Sequence, residues 1–424
     1  MQKIVTKING LKGEVTIPAD KSISHRAVMF ASLANGTSII KNFSKGQDPH
    51  SSLNICKCLG INTEFLDETT LKVSSNGVLY APKNELDCGN SGTTMRLMAG
   101  ILAGQNFDSI LSGDTSLSKR PMKRVIEPLS LMGAEIYSNE FKAPLKISGK
   151  KLFGINYKSN LASAQVKSCI LLAGLYAEGI TTFTEPYISR DHTERMLKYM
   201  GANINVNGNS VSIEKSKLEG KTIEVCGDIS SAAFFITAGL IVPNSKIILK
   251  NVGLNPTRTG ILEAAVKMGA DINILDKRNI SGEEVGDIQI TYSELKGCTI
   301  EGAIIPRLID ELPVIAVLAT QAQGQTVIKD AQDLRNKESD RIKAVVSELQ
   351  KIGADITETL DGFIINGKTK LKGGTEVETY HDHRLAMSLY VAGLICEKPI
   401  VINGFEWVDI SFPEFDSLFN SMKL

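Results

Sequence analysis

Apolar residues recur along the chain in six segments of the same type. Each segment is long enough for a helix, is rich in small and aliphatic residues, and is followed by a short β-rich run. Because the helical stretch is apolar on nearly every face, we expect it to be buried on all sides, and the β-branched residues after it predict a strand. Gly36, Gly104, Gly179 and Gly324, near the ends of four segments, predict left-handed helix C-caps. The six segments are 26–36, 98–104, 171–179, 232–242, 314–324 and 385–396.

A second phrase, Met-Gly-Ala or a close variant, ends an amphipathic helix and begins a strand at five places. Its glycines (60, 133, 201, 269 and 353) recur at intervals of about 70 residues, which indicates an internal repeat. We therefore predict six α/β units, each with two helices and several short strands. The small residues of the apolar helices predict close helix packing. The best boundaries lie near 18–20 and 226–228, which would place three units in a middle domain and return the N-terminal strand to the last three.

Polar residues gather where each of the six apolar helices is expected to begin. Ser, Asn and Asp there are ordinary N-caps, but the same helix ends attract anions through their amides and the helix dipole. Capping does not explain cations near these starts, because a positive charge opposes the field of its own helix. We expect them to share a strong external anion, such as a phosphate or carboxylate substrate. They are Lys21, Arg26, Arg96, Lys167 and Arg384.

Further basic residues and two carboxylates complete the candidate chemistry. Cations cluster at 119–124 and again around Lys337 and Arg341, which we expect on one face of a helix that also carries Glu338. Asp310 lies among apolar neighbours, where a carboxylate is costly unless it is paired. The residues alone predict a site with several cations for a polyanionic small molecule and with carboxylates for proton transfer.

Composition narrows the class of protein. With 424 residues, of which 42% are hydrophobic and 22% charged, the chain fits a globular protein of two or three domains. Forty-seven basic residues balance forty-seven acidic ones, so no net field favours nucleic acid or an anionic membrane. The seven cysteines are scattered, and we expect free thiols in the cytoplasm rather than structural zinc. His381 and His383 lack a recurring metal-site spacing, so we expect neither metal nor cofactor.

Eight short motifs, in order over essentially the whole chain, resemble those of the enolpyruvyl transferase family. The resemblance implies an α/β fold of two domains, each with three βαβαββ-type repeats in which sheets surround buried helices. We expect one domain at 1–19 plus 229–424, an inserted middle domain at 20–228, and an active site in the cleft between them, with closure on ligand binding. The motifs are DKSISHR at 20–26, GNSGT at 89–93, KRPM at 119–122, SAQ at 163–165, SRDHT at 189–193, DELP at 310–313, KESDR at 337–341 and DHR at 382–384.

The resemblance also implies an activity. It is transfer of the enolpyruvyl group of phosphoenolpyruvate to the 5-hydroxyl of shikimate 3-phosphate, with release of phosphate, in chorismate and aromatic amino acid biosynthesis. We expect a cytoplasmic monomer with these two small molecules as its only partners, and no binding to nucleic acid or membrane. The chain resembles the second class of the family. The family is a target of glyphosate, which competes with phosphoenolpyruvate, and Gly92 leaves room for that inhibitor.

The resemblance assigns roles residue by residue. Asp310 would deprotonate the hydroxyl, Glu338 would protonate the methylene carbon, and Lys21 would stabilise charge on the departing phosphate. A donor must stay protonated near neutral pH, and the cations beside Glu338 oppose this. Shikimate 3-phosphate would be held by Lys21, Ser22, Arg26, Ser163, Ala164, Gln165, Arg190, Asp310 and Lys337. Phosphoenolpyruvate would be held by Lys21, Asn90, Gly92, Arg120, Gln165, Arg341 and Arg384.

The chain departs from the pattern of some relatives at four positions. Ser91 and Leu97 stand where the other main branch has alanine and proline, which is why the chain resembles the second class. Ile410 stands where many relatives have a lysine, so one phosphoenolpyruvate contact is either lost or supplied elsewhere. Asp333 stands where some relatives have asparagine.

Two alternatives stay open at this stage. The sister enzyme of the family uses UDP-N-acetylglucosamine as acceptor and typically has a cysteine in the loop before Arg-Pro, whereas 113–121 contains none. A catalytically silent polyanion-binding protein on the same repeat would be expected to lose Lys21, Asp310 or Glu338, and all three are present.

Overall fold

The chain folds into two compact units in a computed structural model that describes all 424 residues. One, here called the terminal unit, comprises residues 1–18, 226–279 and 284–424. The other, the central unit, comprises residues 19–225 and 280–283. None of the helices combines the length and apolar character that crossing a membrane requires.

Thirteen α-helices form, the first six in the central unit and the others in the terminal unit. They are α1 (Lys21–Leu33), α2 (Gln47–Cys58), α3 (Gly92–Ala103), α4 (Lys123–Leu131), α5 (Ala164–Gly174), α6 (His192–Tyr199), α7 (Ile229–Ile241), α8 (Gly260–Lys267), α9 (Ile305–Leu308), α10 (Leu312–Thr320), α11 (Arg341–Lys351), α12 (His383–Gly393) and α13 (Phe415–Met422). Short 3-10 helices span Leu117–Lys119, Gly302–Ile304, Gln332–Asn336 and Phe405–Ile410.

Twenty-four strands accompany them. They are β1 (Gln2–Val5), β2 (Lys12–Thr16), β3 (Ala34–Lys41), β4 (Asn62–Phe65), β5 (Leu71–Asn76), β6 (Leu86–Asp87), β7 (Ser109–Ser112), β8 (Glu135–Asn139), β9 (Lys142–Ser148), β10 (Asn156–Lys158), β11 (Thr181–Thr184), β12 (Ile204–Asn207), β13 (Ser210–Ile213), β14 (Leu218–Glu219), β15 (Thr222–Glu224), β16 (Lys246–Gly253), β17 (Asp271–Ile280), β18 (Glu283–Thr291), β19 (Thr299–Ile300), β20 (Gly324–Ile328), β21 (Ile356–Glu358), β22 (Phe363–Gly367), β23 (Glu376–Glu378) and β24 (Ile400–Asn403).

The strands form six small sheets, three in each unit. The central unit contains the sheets β14-β3-β5-β4, with β15 also on β3, β6-β7-β9-β8 and β10-β11-β13-β12. The terminal unit contains β17-β18-β16-β2, β19-β20-β22-β21 and β1-β24-β23. In each sheet, the strand that follows the apolar helix pairs with a parallel strand on one side and an antiparallel strand on the other. The repeated α/β unit predicted from the sequence is therefore confirmed.

The six apolar helices are buried as predicted. They are α1, α3, α5, α7, α10 and α12, and in each nearly every residue is inaccessible to solvent. Close packing is visible between α3 and α5, because a Cβ on Gly100 would overlap the backbone carbonyl of Cys169. The small residues of these helices therefore set the spacing between neighbouring helices.

The predicted left-handed C-caps of these helices are wrong. Helix α1 is capped by Ala34 in extended conformation, because it runs directly into β3. Gly104 caps α3 with a φ of −91°. Gly36, Gly179 and Gly324 do have positive φ, but each lies beyond the helix cap, in a strand or turn.

Left-handed C-caps occur instead at the Met-Gly-Ala phrase, which follows the amphipathic helices. Its five glycines have φ between 85° and 102° and follow the second helix of their repeat. After α4, Gly133 N donates to Ser130 O and Ala134 N to Leu129 O, each at 3.0 Å. This pair of bonds is a Schellman motif, in which a glycine in the left-handed region closes the helix.

Candidate functional site

The six buried helices begin where the sequence places them, and most of their first polar residues are caps. The side chains of Asp20, Ser91, Asp228 and Asp382 accept hydrogen bonds from backbone amides of the first turn. Ser163, before α5, and Glu311, before α10, make no such cap bond. The shikimate 3-phosphate residues expected at 163–165 therefore include one N-cap serine that does not serve its own helix.

Lys21 is the first residue of α1 and contacts a carboxylate that the sequence reasoning missed. Its Nζ lies 3.0 Å from Oδ2 of Asp48 in the first turn of α2. Ser22 follows it, half-buried, at the same helix start. The signal for Asp48 was present, since an acidic residue in a helix first turn is favourable by itself, but nothing in the sequence pairs it with Lys21.

Arg26 is buried in the second turn of α1 and holds other helices together. Its Nε donates to Thr193 Oγ1 and its Nη2 to Ser168 Oγ, both at 2.7 Å, and its Nη1 donates to Ser22 O at 3.0 Å. These bonds join the beginnings of α1, α5 and α6. Arg26 thus lies buried between the N-terminal turns of these three helices.

Four predicted phosphoenolpyruvate residues of the central unit lie together, and we call them, with Arg96, the arginine cluster: Asn90, Gly92, Arg96, Arg120 and Gln165. Arg120 Nη2 donates to Asn90 Oδ1 at 2.7 Å, and Arg96 Nη1 donates to Gln165 Oε1 at 2.6 Å. A Cβ on Gly92 would lie 2.8 Å from Arg96 Nη1 and 3.4 Å from Arg120 Nη1. Glycine at this position lets both guanidinium groups approach the start of α3.

The expectation that Lys167 shares an external anion is wrong. Its side chain is only 1% exposed, and its Nζ lies 2.8 Å from Glu185 Oε1 and 2.7 Å from Glu194 Oε1. Burial alone would lower the pKa of Lys167, but the charges of Glu194 and Glu185 outweigh it and raise that pKa. Arg190, the predicted phosphate contact, is half-buried in the segment between β11 and α6.

The helix expected around Lys337, Glu338 and Arg341 begins later than predicted. Helix α11 starts at Arg341, because the carboxylate of Asp340 caps it by accepting from Lys343 N at 3.1 Å. Lys337 follows a 3-10 helix with extended backbone, φ −87° and ψ −154°. Lys337 and Arg341 therefore do not share a helical face.

The terminal unit nevertheless brings the predicted residues together around Arg341, whose side chain is 1% exposed. Its guanidinium lies 3.4 Å from Asp310 Oδ1, 2.7 Å from Glu338 Oε2 and 2.7 Å from Asp382 Oδ2. Burial by itself would lower the pKa of Arg341, but Asp382, Glu338 and Asp310 raise it further above its usual range. Internal carboxylates therefore balance this charge.

Lys337 and Arg384 complete this group, which we call the carboxylate cluster: Asp310, Lys337, Glu338, Arg341, Asp382 and Arg384. Lys337 Nζ lies 3.5 Å from Asp310 Oδ1, and Arg384 Nη1 donates to the backbone oxygen of Asp310 at 3.3 Å.

Asp382 was interpreted from the sequence only as a helix start. It caps α12 through Arg384 N and also accepts two hydrogen bonds from Arg341. Burial opposes ionisation of Asp382, but Arg341 lowers its pKa below the ordinary value. Its second role depends on contacts far along the chain, which no local pattern reveals.

The side chains that could bind a metal ion or form disulfides are dispersed in the structure. No group of three or more His, Cys, Asp or Glu side chains is placed to hold a metal ion. All seven cysteines are free thiols, and burial raises the pKa of Cys56 to about 11.

Comparisons with known proteins agree over the full length of the chain. The family model described as EPSP synthase (3-phosphoshikimate 1-carboxyvinyltransferase) matches residues 5–418. A 3-phosphoshikimate 1-carboxyvinyltransferase from Thermodesulfovibrio yellowstonii is 54% identical over 100% of both chains, and one from Bacillus subtilis is 52% identical over 98% of both.

Solved structures give the same result at the level of the fold. An EPSP synthase from Acinetobacter baumannii superimposes with a TM-score of 0.89 at 44% identity, covering 100% of this chain and 98% of that one. The enolpyruvyl transferase NikO from Streptomyces tendae, at 16% identity, shares the fold with a TM-score of 0.80 over 99% and 96% of the two chains. The fold has two units of three α/β repeats, and the family model and the relatives match the chain nearly from end to end. This chain belongs to the EPSP synthase (3-phosphoshikimate 1-carboxyvinyltransferase) family.

Proposed function

We propose that this chain transfers the enolpyruvyl group of phosphoenolpyruvate to the 5-hydroxyl of shikimate 3-phosphate and releases phosphate. The full-length relatives at 50–54% identity carry the name of this activity. The observation that carries the chemistry is that Asp310 and Glu338 contact the same guanidinium, that of Arg341. Two carboxylates beside a cluster of cations suit a reaction that moves protons between two polyanionic substrates.

Shikimate 3-phosphate is bound in this proposal mainly by the starts of α1 and α5 in the central unit. Ser163 is not used as a cap by its own helix, so its hydroxyl can bind the phosphate together with the first amides of α5. Lys21 and Arg190 supply charge, and Lys337 and Asp310 of the terminal unit contact the ring. The full set is Lys21, Ser22, Arg26, Ser163, Ala164, Gln165, Arg190, Asp310 and Lys337.

Phosphoenolpyruvate is bound by the arginine cluster together with cations of the carboxylate cluster. Arg120 is directed by Asn90, and Gly92 keeps the start of α3 open to the ligand. Arg341 and Arg384 supply positive charge from the terminal unit. The proposed set is Lys21, Asn90, Gly92, Arg120, Gln165, Arg341 and Arg384.

The reaction proceeds by addition and then elimination. Asp310 accepts the proton of the 5-hydroxyl while the hydroxyl oxygen attacks C2 of phosphoenolpyruvate, and Glu338 delivers a proton to C3. In the second step Glu338 removes a proton from the new methyl group, the C2–O bond to phosphate breaks, and the enol ether forms. Lys21 and the arginines stabilise the charge on the departing phosphate.

The contact between Glu338 and Arg341 opposes the acid role proposed for Glu338, so substrate binding has to weaken it. A guanidinium 2.7 Å away favours the ionised form of Glu338. An anionic substrate bound to Arg341 competes for the same N–H groups and weakens that preference. Release of Glu338 from Arg341 on substrate binding is therefore part of the proposed acid step.

The chain acts as a monomer in the cytoplasm in this proposal, with free thiols as a reducing compartment allows.

The test is phosphate release with phosphoenolpyruvate and either of two acceptors. We expect release with shikimate 3-phosphate and none above background with UDP-N-acetylglucosamine. The Asp310→Ala variant serves as the control for contaminating phosphatase. Release with the sugar nucleotide alone would assign the chain to the sister activity, and release with neither would contradict transferase function.

A further inference from the structure

A buried group of charges in the central unit has no part in the reaction described above. Lys167 lies in the first turns of α5 with Glu185 and Glu194 on either side of its ammonium group, and all three side chains are almost fully buried. Removing charges from water is expensive, and apolar replacements of such groups are often as stable or more so. Stability is therefore a weak explanation for these residues.

The cluster is tied to the segment that carries Arg190. Lys167 Nζ donates to Ser189 O at 3.1 Å, and Ser189 N donates to Glu185 Oε1 at 2.8 Å. The segment joins β11 to α6, and its middle, 186–188, is exposed, whereas Ser189 is buried. Both backbone polar groups of Ser189 are thus fixed by the charged cluster, one residue before Arg190.

The other end of the segment is fixed to the same helix. Glu194, in the first turn of α6, is 2.7 Å from Lys167, and the adjacent pair Thr193 and Ser168 are joined by a hydrogen bond of 2.6 Å. Helix α5 also carries Ser163–Gln165, one turn before Lys167, at the end proposed to bind shikimate 3-phosphate. The cluster therefore sets the position of Arg190 relative to that helix start.

We propose that Lys167 is a positioning residue that, through Ser189, holds Arg190 ready for the phosphate of shikimate 3-phosphate. The inference rests on the proposed function and assigns a role to a lysine that does not touch substrate. Fixing the backbone before binding lowers the ordering cost that a long arginine side chain on a loop would otherwise add to ligand binding. Loss of Lys167 then weakens binding of one substrate and leaves the other unaffected.

The experiment measures KM for each substrate in Lys167→Met, Arg190→Ala and the double variant. We expect Lys167→Met to raise the KM for shikimate 3-phosphate about tenfold and to leave the KM for phosphoenolpyruvate unchanged. Because Lys167 acts through Arg190, Lys167→Met should add little to the KM of Arg190→Ala. Lys198→Met is the matched control, since Lys198 is an exposed lysine of α6 outside the buried cluster, and its loss should leave both KM values unchanged.

The outcomes separate this inference from the proposed function. An unchanged KM for shikimate 3-phosphate in Lys167→Met, equal rises for both substrates, or full additivity with Arg190→Ala would overturn the positioning role, while an active wild type would still support the transferase. Inactive wild-type protein would instead contradict the function. If Lys167→Met does not fold, the uncharged variant Lys167→Met/Glu185→Gln/Glu194→Gln replaces it, with the same expected rise.

Discussion

Arg341 is the residue on which the carboxylate cluster is organised. It contacts Asp310, Glu338 and Asp382 at once, and Asp382 also caps α12, where Arg384 follows. One buried guanidinium therefore orients both proposed proton-transfer groups and is itself held by a helix cap. Truncation of one partner in such a network leaves buried charge uncompensated, which costs more than the contact itself contributes.

Asp310 provides the most direct test at the level of single residues. We expect Asp310→Ala to lower kcat by about 10²–10⁴-fold, the usual range for loss of a general base, with a much smaller change in shikimate 3-phosphate binding. Steady-state phosphate release and equilibrium binding measure the two effects. Asp333→Ala is the control, because Asp333 is also a carboxylate close to Lys337, at 3.9 Å. An Asp310→Ala variant with near wild-type turnover would remove Asp310 from the mechanism.

His25 predicts how stability depends on pH. Burial, with Lys21 and Arg26 nearby, holds the pKa of His25 well below its ordinary value of 6.5. Below about pH 6.5 the unfolded chain therefore binds a proton that the folded His25 does not. This group consequently lowers the free energy of unfolding as the pH decreases, by up to about 1.4 kcal/mol per pH unit. Unfolding followed between pH 7.5 and 5.5 should show a shallower loss in His25→Asn than in wild type. Equal slopes would count against this assignment.

At the scale of elements, the contact between α3 and α5 depends on a glycine. Gly100→Ala places a methyl group against the carbonyl of Cys169, and both groups belong to buried helices that cannot easily separate. We expect a loss of about 1–3 kcal/mol of unfolding free energy, typical of overpacking, measured by chemical denaturation.

Gly179→Ala is the comparison for this prediction. A Cβ there meets no atom within 4 Å, so only its positive φ of 84° opposes the change. Equal or greater destabilisation by Gly179→Ala would mean that helix packing is not what requires Gly100.

The elements were largely predictable from local patterns, and the partners of the charged residues were not. Apolar helices and the Met-Gly-Ala turns follow from short-range periodicity and backbone preference, so the repeat was recognisable. Lys167 was misassigned because its neutralising partner Glu194 is supplied by another helix, α6. The start of α11 was placed too early because Asp340, and not Lys337 or Glu338, ends the preceding irregular segment. Side-chain pairing over long distances in sequence leaves no local signal.

At the scale of the whole molecule, the predicted chemistry is divided between the two units. The central unit contains Lys21, the arginine cluster and Arg190, and the terminal unit contains the carboxylate cluster. Strands β2 and β16 pair with each other in the terminal unit, although the central unit lies between them in the sequence. Strand β15, just before β16, still pairs with β3 of the central unit. The central unit is therefore an insertion between β2 and β16. We infer that catalysis needs both units, because the residues proposed to bind each substrate are divided between them.

The KM for phosphoenolpyruvate in Arg120→Ala and Arg384→Ala, one from each unit, tests this inference most directly. We expect both values to rise about tenfold or more, with a much smaller change in the KM for shikimate 3-phosphate. Lys123→Ala, an exposed cation close to Arg120 in sequence, should behave as wild type. If either arginine can be removed with no change in the KM for phosphoenolpyruvate, the two units do not act on one substrate pair as proposed.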